Sequence, residues 1–101
     1  MVELTMHAVV PPHVLFRQLD GEAVLLNLDS ERYFGLDATG TRMWELATTQ
    51  PCIALAFEKL QEEYEVDPEV LRTHLTEFLS GLVENGLLQV LPADAGPTPK
   101  I

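Results

Sequence analysis

The sequence predicts an α+β domain in which a three-stranded antiparallel sheet is followed by three helices. Segments rich in branched and aromatic residues, separated by turn residues, occupy positions 14–36, and apolar residues then recur at helical spacing. The three strand segments are close neighbours along the chain, which favours an antiparallel meander. A chain of 101 residues, 47% of them hydrophobic, is large enough for one domain with its own core.

The first two strands are predicted around a tight turn. Val14–Leu19 and Glu22–Asp29 flank Asp20-Gly21, a pair that favours a hairpin because both positions tolerate positive φ. The second strand alternates apolar with polar positions, with Val24, Leu26 and Leu28 on one face and Asn27 and Asp29 on the other.

A turn at Ser30-Glu31 leads to the third predicted strand, Arg32–Leu36, which lies at the edge of a sheet in sequence order. This strand is short, contains no proline and carries one charge, so its unpaired main-chain groups are available for an added strand. The alternatives are that a helix or the N-terminal arm covers this edge, or that a second copy of the chain pairs with it as a homodimer.

Helix ends are marked by capping residues. Asp37 is a predicted cap for the first helix, Pro51 is placed at the start of the second, and Asp67 with Pro68 begins the third. Asn85-Gly86 ends the third helix, because glycine provides a left-handed cap. The core stripe of this last helix is predicted to be Leu71, Leu75, Phe78 and Leu82.

The remaining segments set the predicted domain limits. Residues 1–11 form an N-terminal arm, residues 12–91 the domain, and residues 92–101, with three of the seven prolines, a disordered tail. Leu87–Leu91 is apolar and is expected to pack back on the core.

Charge and composition exclude several classes of function. A net charge of −10, from 16 acidic and 6 basic residues, opposes binding to nucleic acid phosphates. The sequence has no signal peptide pattern and no apolar run long enough for a membrane span. Cys52 is the single cysteine and is interpreted as a small buried hydrophobe, so the chain is assigned to the reducing cytoplasm.

The sequence gives little support for catalysis. His7, His13 and His74 show neither the spacing of a metal site nor that of a nucleophile and its base. The glycines are scattered and form no phosphate-binding loop. We therefore expect no metal, no cofactor and no enzymatic activity.

One ordered series of short motifs carries a family resemblance. It comprises Glu22 to Leu28, Tyr33-Phe34-Gly35-Leu36-Asp37, Thr39-Gly40, Trp44-Glu45-Leu46, Leu60, Tyr64, Val66-Asp67, Phe78-Leu79, Leu82 and Gly86-Leu87-Leu88. Over residues 12–91 this series resembles the PqqD-like family, the domains that recognise leader peptides in the biosynthesis of ribosomally synthesised and modified peptides (RiPPs).

The resemblance implies a winged-helix-like fold and a leader peptide that adds as a fourth strand between the third strand and the third helix. The peptide backbone would pair with the third strand, and the third helix would line pockets for apolar anchors. The implied peptide-binding residues are Arg32, Tyr33, Phe34, Gly35 and Leu36 on the strand, with Val70, Leu71, His74, Leu75 and Phe78 on the helix. Trp44 is assigned to the core.

The resemblance leaves the pathway open. The implied partner is a modifying enzyme or a leader protease, and the Glu65 to Pro68 segment is slightly closer to stand-alone members of lasso-peptide assembly. The alternatives are a chaperone of quinone cofactor biosynthesis that presents its precursor to a radical SAM enzyme, a subunit that grips an enzyme instead of a leader, and a winged-helix DNA-binding regulator. The acidic charge argues against the last.

Overall fold

The structure, a computed structural model, describes residues 2–92. In chain order its elements are β1 (His7–Val9), β2 (Val14–Leu19), β3 (Glu22–Asn27), β4 (Arg32–Leu36), α1 (Ala38–Thr49), α2 (Ile53–Glu63), α3 (Pro68–Glu84) and β5 (Gln89–Leu91). The predicted antiparallel sheet is present with the order β2-β3-β4, and the three helices follow it. The predicted disordered tail lies outside the described residues, apart from Pro92.

Both turns of the main sheet are built from local signals. Asp20 and Gly21 have φ values of 50° and 82°, the two positive angles of a type I′ turn, which confirms the predicted hairpin. At the second turn the Asn27 side-chain oxygen accepts hydrogen bonds from the main-chain N–H groups of Asp29 and Ser30, at 3.0 and 3.2 Å. This turn ends β3 at Asn27, two residues before the predicted end.

The alternation predicted for β3 is present, but its core side is the face that carries Asn27. Ala23 and Leu25 point into the core with it, whereas Leu28 is 50% exposed. Asn27 is only 5% exposed because its amide also donates to the main-chain oxygens of Asn85 and Gly86, at 3.3 and 3.4 Å. A polar side chain is tolerated there because main-chain groups satisfy both of its ends.

The helix caps agree with the sequence at two of three starts. The Asp37 carboxylate accepts from the Gly40 N–H, and the Asp67 carboxylate from the Glu69 N–H, each at 2.8 Å. Pro68 stands at the start of α3, and Gly86 follows its end with a φ of 73°. Only the predicted start of α2 at Pro51 is wrong.

The N-terminal arm explains the start of α2. The N–H groups of Ile53 and Ala54 donate to the main-chain oxygens of Met6 and Leu4, both at 2.8 Å. Cys52, partly buried at the N-cap position, makes no capping bond with its side chain, so the arm satisfies these donors in its place.

The arm also forms a second sheet that the sequence did not predict. β1 pairs antiparallel with β5, with His7 opposite Leu91. Between α3 and β5, Leu87 and Leu88 are 0% and 2% exposed, so this segment packs on the core as predicted. The arm is therefore a structural part of the domain.

Of the three helices, α1 packs on β3 and β4 at the inner face of the main sheet, α2 packs on α1, and α3 packs on α2. Trp44 is 3% exposed and stacks on Phe16 with ring centroids 5.9 Å apart, which confirms its place in the core. The α1 and α2 helices are also joined by the Arg42 Nε and Glu63 Oε1 atoms at 2.8 Å. Hydrogen bonding to this guanidinium lowers the pKa of the Glu63 carboxyl. Within residues 2–92, no helix has the length and apolar character needed to cross a membrane.

Candidate functional site

The β4 strand forms an edge of the main sheet, as predicted, because within residues 2–92 only β3 pairs with it. The N-terminal arm lies elsewhere, since β1 pairs with β5 and the preceding residues cap α2. The other edge of the sheet is β2.

The hydrogen-bond register decides which groups of β4 face the open edge. The Leu28 N–H donates to the His13 oxygen at 2.8 Å, in line with the β2–β3 pairing. Because bonded and non-bonded pairs alternate in an antiparallel ladder, the odd-numbered residues of β3 bond to β4. Their partners in β4 are Arg32, Phe34 and Leu36. The main-chain groups of Tyr33 and Gly35 therefore point away from β3, toward the open edge.

Side chains of β4 alternate between two surroundings. Phe34 and Leu36 point to the helix side of the sheet, where Leu36 is 7% exposed and Phe34 is half-buried against the core. Tyr33 and Gly35 point to the outer face, and Tyr33 is 73% exposed. Arg32, at the start of the strand, is exposed.

A cleft of about 350 Å³ lies on the helix side of this edge. One wall is the end of β4, and the other comes from α3. Its lining residues are Gly35, Leu36, Asp37, Thr39, Gly40, Met43, His74 and Phe78. A further depression along α3, lined by Glu69, Val70, Thr73 and His74, continues from it.

The α3 residues predicted to bind peptide divide into two groups. Val70 is 47% exposed, His74 is exposed, and Phe78 is half-buried at the cleft. Leu71 and Leu75 are 4% and 0% exposed, so both belong to the core and neither can contact a ligand in the cleft. The reason is the rotation of α3: each residue advances about 100°, which turns these two leucines toward the core and away from the cleft.

The start of α1 contributes residues that the sequence analysis did not assign to the site. Thr39, Gly40 and Met43 form the floor where α1 begins, directly after β4. The available signal was the Thr39-Gly40 pair, which was part of the family pattern but was not assigned a role. Gly40 is buried at this point, and the Phe78 ring packs against it.

The chemistry of the cleft is that of a binding surface. Within residues 2–92, no group of three or more His, Cys, Asp or Glu side chains could hold a metal ion. His13 bonds to the Gly86 oxygen at 3.1 Å, away from the cleft, and His7 lies in β1. What the site offers is the outward-facing main-chain groups of β4 beside a cleft that both apolar and polar side chains line, which suits an extended peptide.

Comparisons with known proteins agree on one family. The sequence profile described as "Coenzyme PQQ synthesis protein D (PqqD)" matches residues 22–88. A solved structure described as "TbiB1 in Complex with the TbiA(beta) Leader Peptide" is 34% identical, with a TM-score of 0.73 over 80% of this chain and 94% of that chain. A second, "Lasso peptide synthetase B1 complexed with the leader peptide", is 25% identical, with a TM-score of 0.72 over 82% and 98%. No curated protein matches the sequence.

Proposed function

Because this chain belongs to the PqqD family, we propose that it binds the leader segment of a ribosomally synthesised precursor peptide and presents it to a modifying enzyme or leader protease. The leader adds to β4 as a fourth strand. The open edge of β4 beside a cleft of mixed polar and apolar lining carries this proposal. Two solved relatives that are complexes with a leader peptide support it.

The register gives the added strand a defined set of contacts. The N–H and C=O groups of Tyr33 and Gly35 hold the peptide main chain without reading its sequence. Peptide residues opposite Phe34 and Leu36 turn their side chains toward the helices, because directly opposed residues share a face of the sheet. Specificity on this side comes from His74 and Phe78.

Binding alone can account for the contribution of this protein. A disordered leader gives up conformational freedom when it is ordered, so the affinity is moderate for the surface buried. Holding the leader raises the effective concentration of the precursor beside the partner enzyme. The domain then acts as a binding partner, and the chemistry belongs to that enzyme.

A pair of proline variants tests strand addition. Tyr33→Pro removes one N–H that faces the open edge of β4 and leaves the ladder to β3 intact. Gln18→Pro makes the same change on β2, where the exposed Gln18 turns its N–H away from β3 at the opposite edge. Binding would be measured by fluorescence anisotropy with two labelled probes. They are the TbiA(beta) leader and the leader of the precursor whose gene lies beside the gene for this chain.

We expect saturable binding to the unchanged protein, at least about tenfold weaker binding to Tyr33→Pro, and an unchanged affinity for Gln18→Pro. Equal affinities for both folded variants would contradict addition at β4. Failure of the unchanged, folded protein to bind either leader would overturn leader recognition. The free protein can also be examined by sedimentation. If it sediments as a dimer and the leader dissociates that dimer, a second copy of the chain competes with the leader for the edge of β4.

The family description supports a second destination for the bound precursor, coenzyme PQQ synthesis, in which a radical SAM enzyme would receive it. The relative described as a lasso peptide synthetase B1 instead favours lasso-peptide assembly, for which we propose a leader protease as the partner. The discriminating measurement is the affinity of this chain, loaded with leader, for each of the two enzyme classes. Preferential binding to the radical enzyme would reassign the pathway and keep the leader-binding role.

A further inference from the structure

The outer face of the main sheet carries exposed apolar side chains next to the proposed peptide edge. Leu15, Leu19 and Tyr33 are 42%, 70% and 73% exposed on this face. A depression of about 330 Å³ lies here, lined by outward-facing Leu19, Glu22, Val24 and Gly35. It shares Gly35, Leu36 and Asp37 with the cleft on the helix side, so the two depressions meet at the end of β4.

Nothing within the domain requires glycine at position 35. A Cβ added there would meet no atom within 4 Å, and the backbone is not in the left-handed region that favours glycine. Glycine lowers the stability of a strand, because it leaves more backbone freedom to lose on folding and gives nothing to pack. We therefore infer that glycine stands at position 35 because another molecule packs against β4 at this point.

The direction in which a Cβ at position 35 would point indicates which part of a bound peptide uses the free space. In a strand, the Cβ bond stands out of the plane of the sheet, whereas a neighbouring strand lies within that plane. A Cβ at position 35 would leave an added backbone in place, since strands pair through every residue type. It would block a side chain that leaves the added strand and crosses β4 toward Val24, the partner of Gly35 on β3.

We propose that the leader residue paired with Gly35 carries a large apolar side chain, which lies across Gly35 and packs on Val24 and Leu19. This inference rests on the proposed function. It gives the leader a second point of sequence reading, on the opposite face from the His74 and Phe78 cleft. Large side chains that cover a strand glycine are a recognised source of cross-strand stability.

A graded series at position 35 tests this subsite. Gly35→Ala, Gly35→Val and Gly35→Phe fill the depression progressively, and the free space around the position predicts an unchanged or higher melting temperature. We expect affinity for the TbiA(beta) leader to fall along the series, by about tenfold or more at Phe. Leu15→Phe, on the same outer face at the opposite edge of the sheet and outside the lining of the depression, is the matched control and should leave the affinity unchanged.

An alanine scan of the peptide identifies the residue concerned. At one peptide position, replacement by alanine should weaken binding to the unchanged protein but should have little effect on binding to Gly35→Phe. A double-mutant cycle measures this coupling. If the peptide binds the unchanged protein and the whole series equally, or if no peptide position couples to residue 35, the subsite is wrong and leader binding stands. If the unchanged protein binds no leader, the proposed function fails first.

Discussion

Gly40 and Phe78 are in contact across the floor of the cleft. A Cβ added to Gly40 would lie 3.4 Å from Cε1 of the Phe78 ring and 3.2 Å from the Asp37 carboxylate oxygen. The same carboxylate caps α1 by accepting from the Gly40 N–H. Because Gly40 has no side chain, the cap of α1, the end of β4 and the wall supplied by α3 can pack closely at this point.

The first prediction concerns this contact. Gly40→Ala should displace both the Phe78 ring and the Asp37 carboxylate from position 40. It should lower the free energy of unfolding by about 1 kcal/mol, in spite of the better helix propensity of alanine. It should also weaken leader binding, because the cleft is displaced. Chemical denaturation and peptide titration check the two effects.

Gly81→Ala is the matched control for this change. It lies within α3, and an added Cβ there meets nothing within 4 Å. The same substitution should raise stability by up to about 1 kcal/mol. A loss of stability of the same size in both variants would show that the contact with Phe78 has no special role.

The second prediction separates the two sides of α3. His74→Glu places a charge in the cleft, where apolar peptide side chains would have to pack, and should weaken leader binding about tenfold or more. Because His74 is exposed, the melting temperature should change little. Arg72→Glu, a larger change of charge at an exposed position outside the cleft lining, should leave binding nearly unchanged. Equal losses in both variants would indicate a general effect of charge, not a cleft contact.

The third prediction concerns buried Asn27. Asn27→Asp replaces an amide that donates to two main-chain oxygens by a carboxylate that faces them, which should lower the free energy of unfolding by about 2 kcal/mol or more. Asn85→Asp makes the same chemical change at an exposed site and should cost less. Thermal melts compare them. A smaller loss for Asn27→Asp than for Asn85→Asp would contradict the role of the buried network.

The fourth prediction concerns the N-terminal arm. Removal of residues 1–6 exposes the first N–H groups of α2 and removes Val2, which is 5% exposed, so the melting temperature should fall clearly. Leader affinity, measured below the lowered melting temperature, should be retained, because the arm does not reach β4. Cys52→Ser, which supplies a capping hydroxyl, should stabilise the truncated protein more than the full chain. An unchanged melting temperature after truncation would show that the arm is dispensable.

Features set by neighbouring residues were predictable from the sequence. Asp20-Gly21 forms its turn and Asp67 caps its helix because each motif satisfies its own backbone within two or three residues. The edge position of β4 followed from the order of the strands. These are the local signals on which capping and hairpin rules rest.

Features set by distant contacts were not predictable. Asn27 turns inward because its partners, Asn85 and Gly86, lie 58 and 59 residues further along the chain. The core stripe of α3 was predicted to include Leu71 and Leu75, but which of its residues also face the cleft depends on how α3 packs on its neighbours. Pairing of His7 with Leu91 joins two short segments that have little strand pattern of their own.

Only two residues of β4, Tyr33 and Gly35, turn their main-chain groups toward the open edge, so an added strand gains at most four main-chain hydrogen bonds from it. On the proposed function, recognition then occupies a stretch of roughly five peptide residues, at the 3.2–3.4 Å that each residue spans in a strand. The rest of the precursor is free to change without loss of capture. One leader could therefore carry a combinatorial library of product sequences, and the diversity of products would be limited by the downstream enzymes and not by this domain.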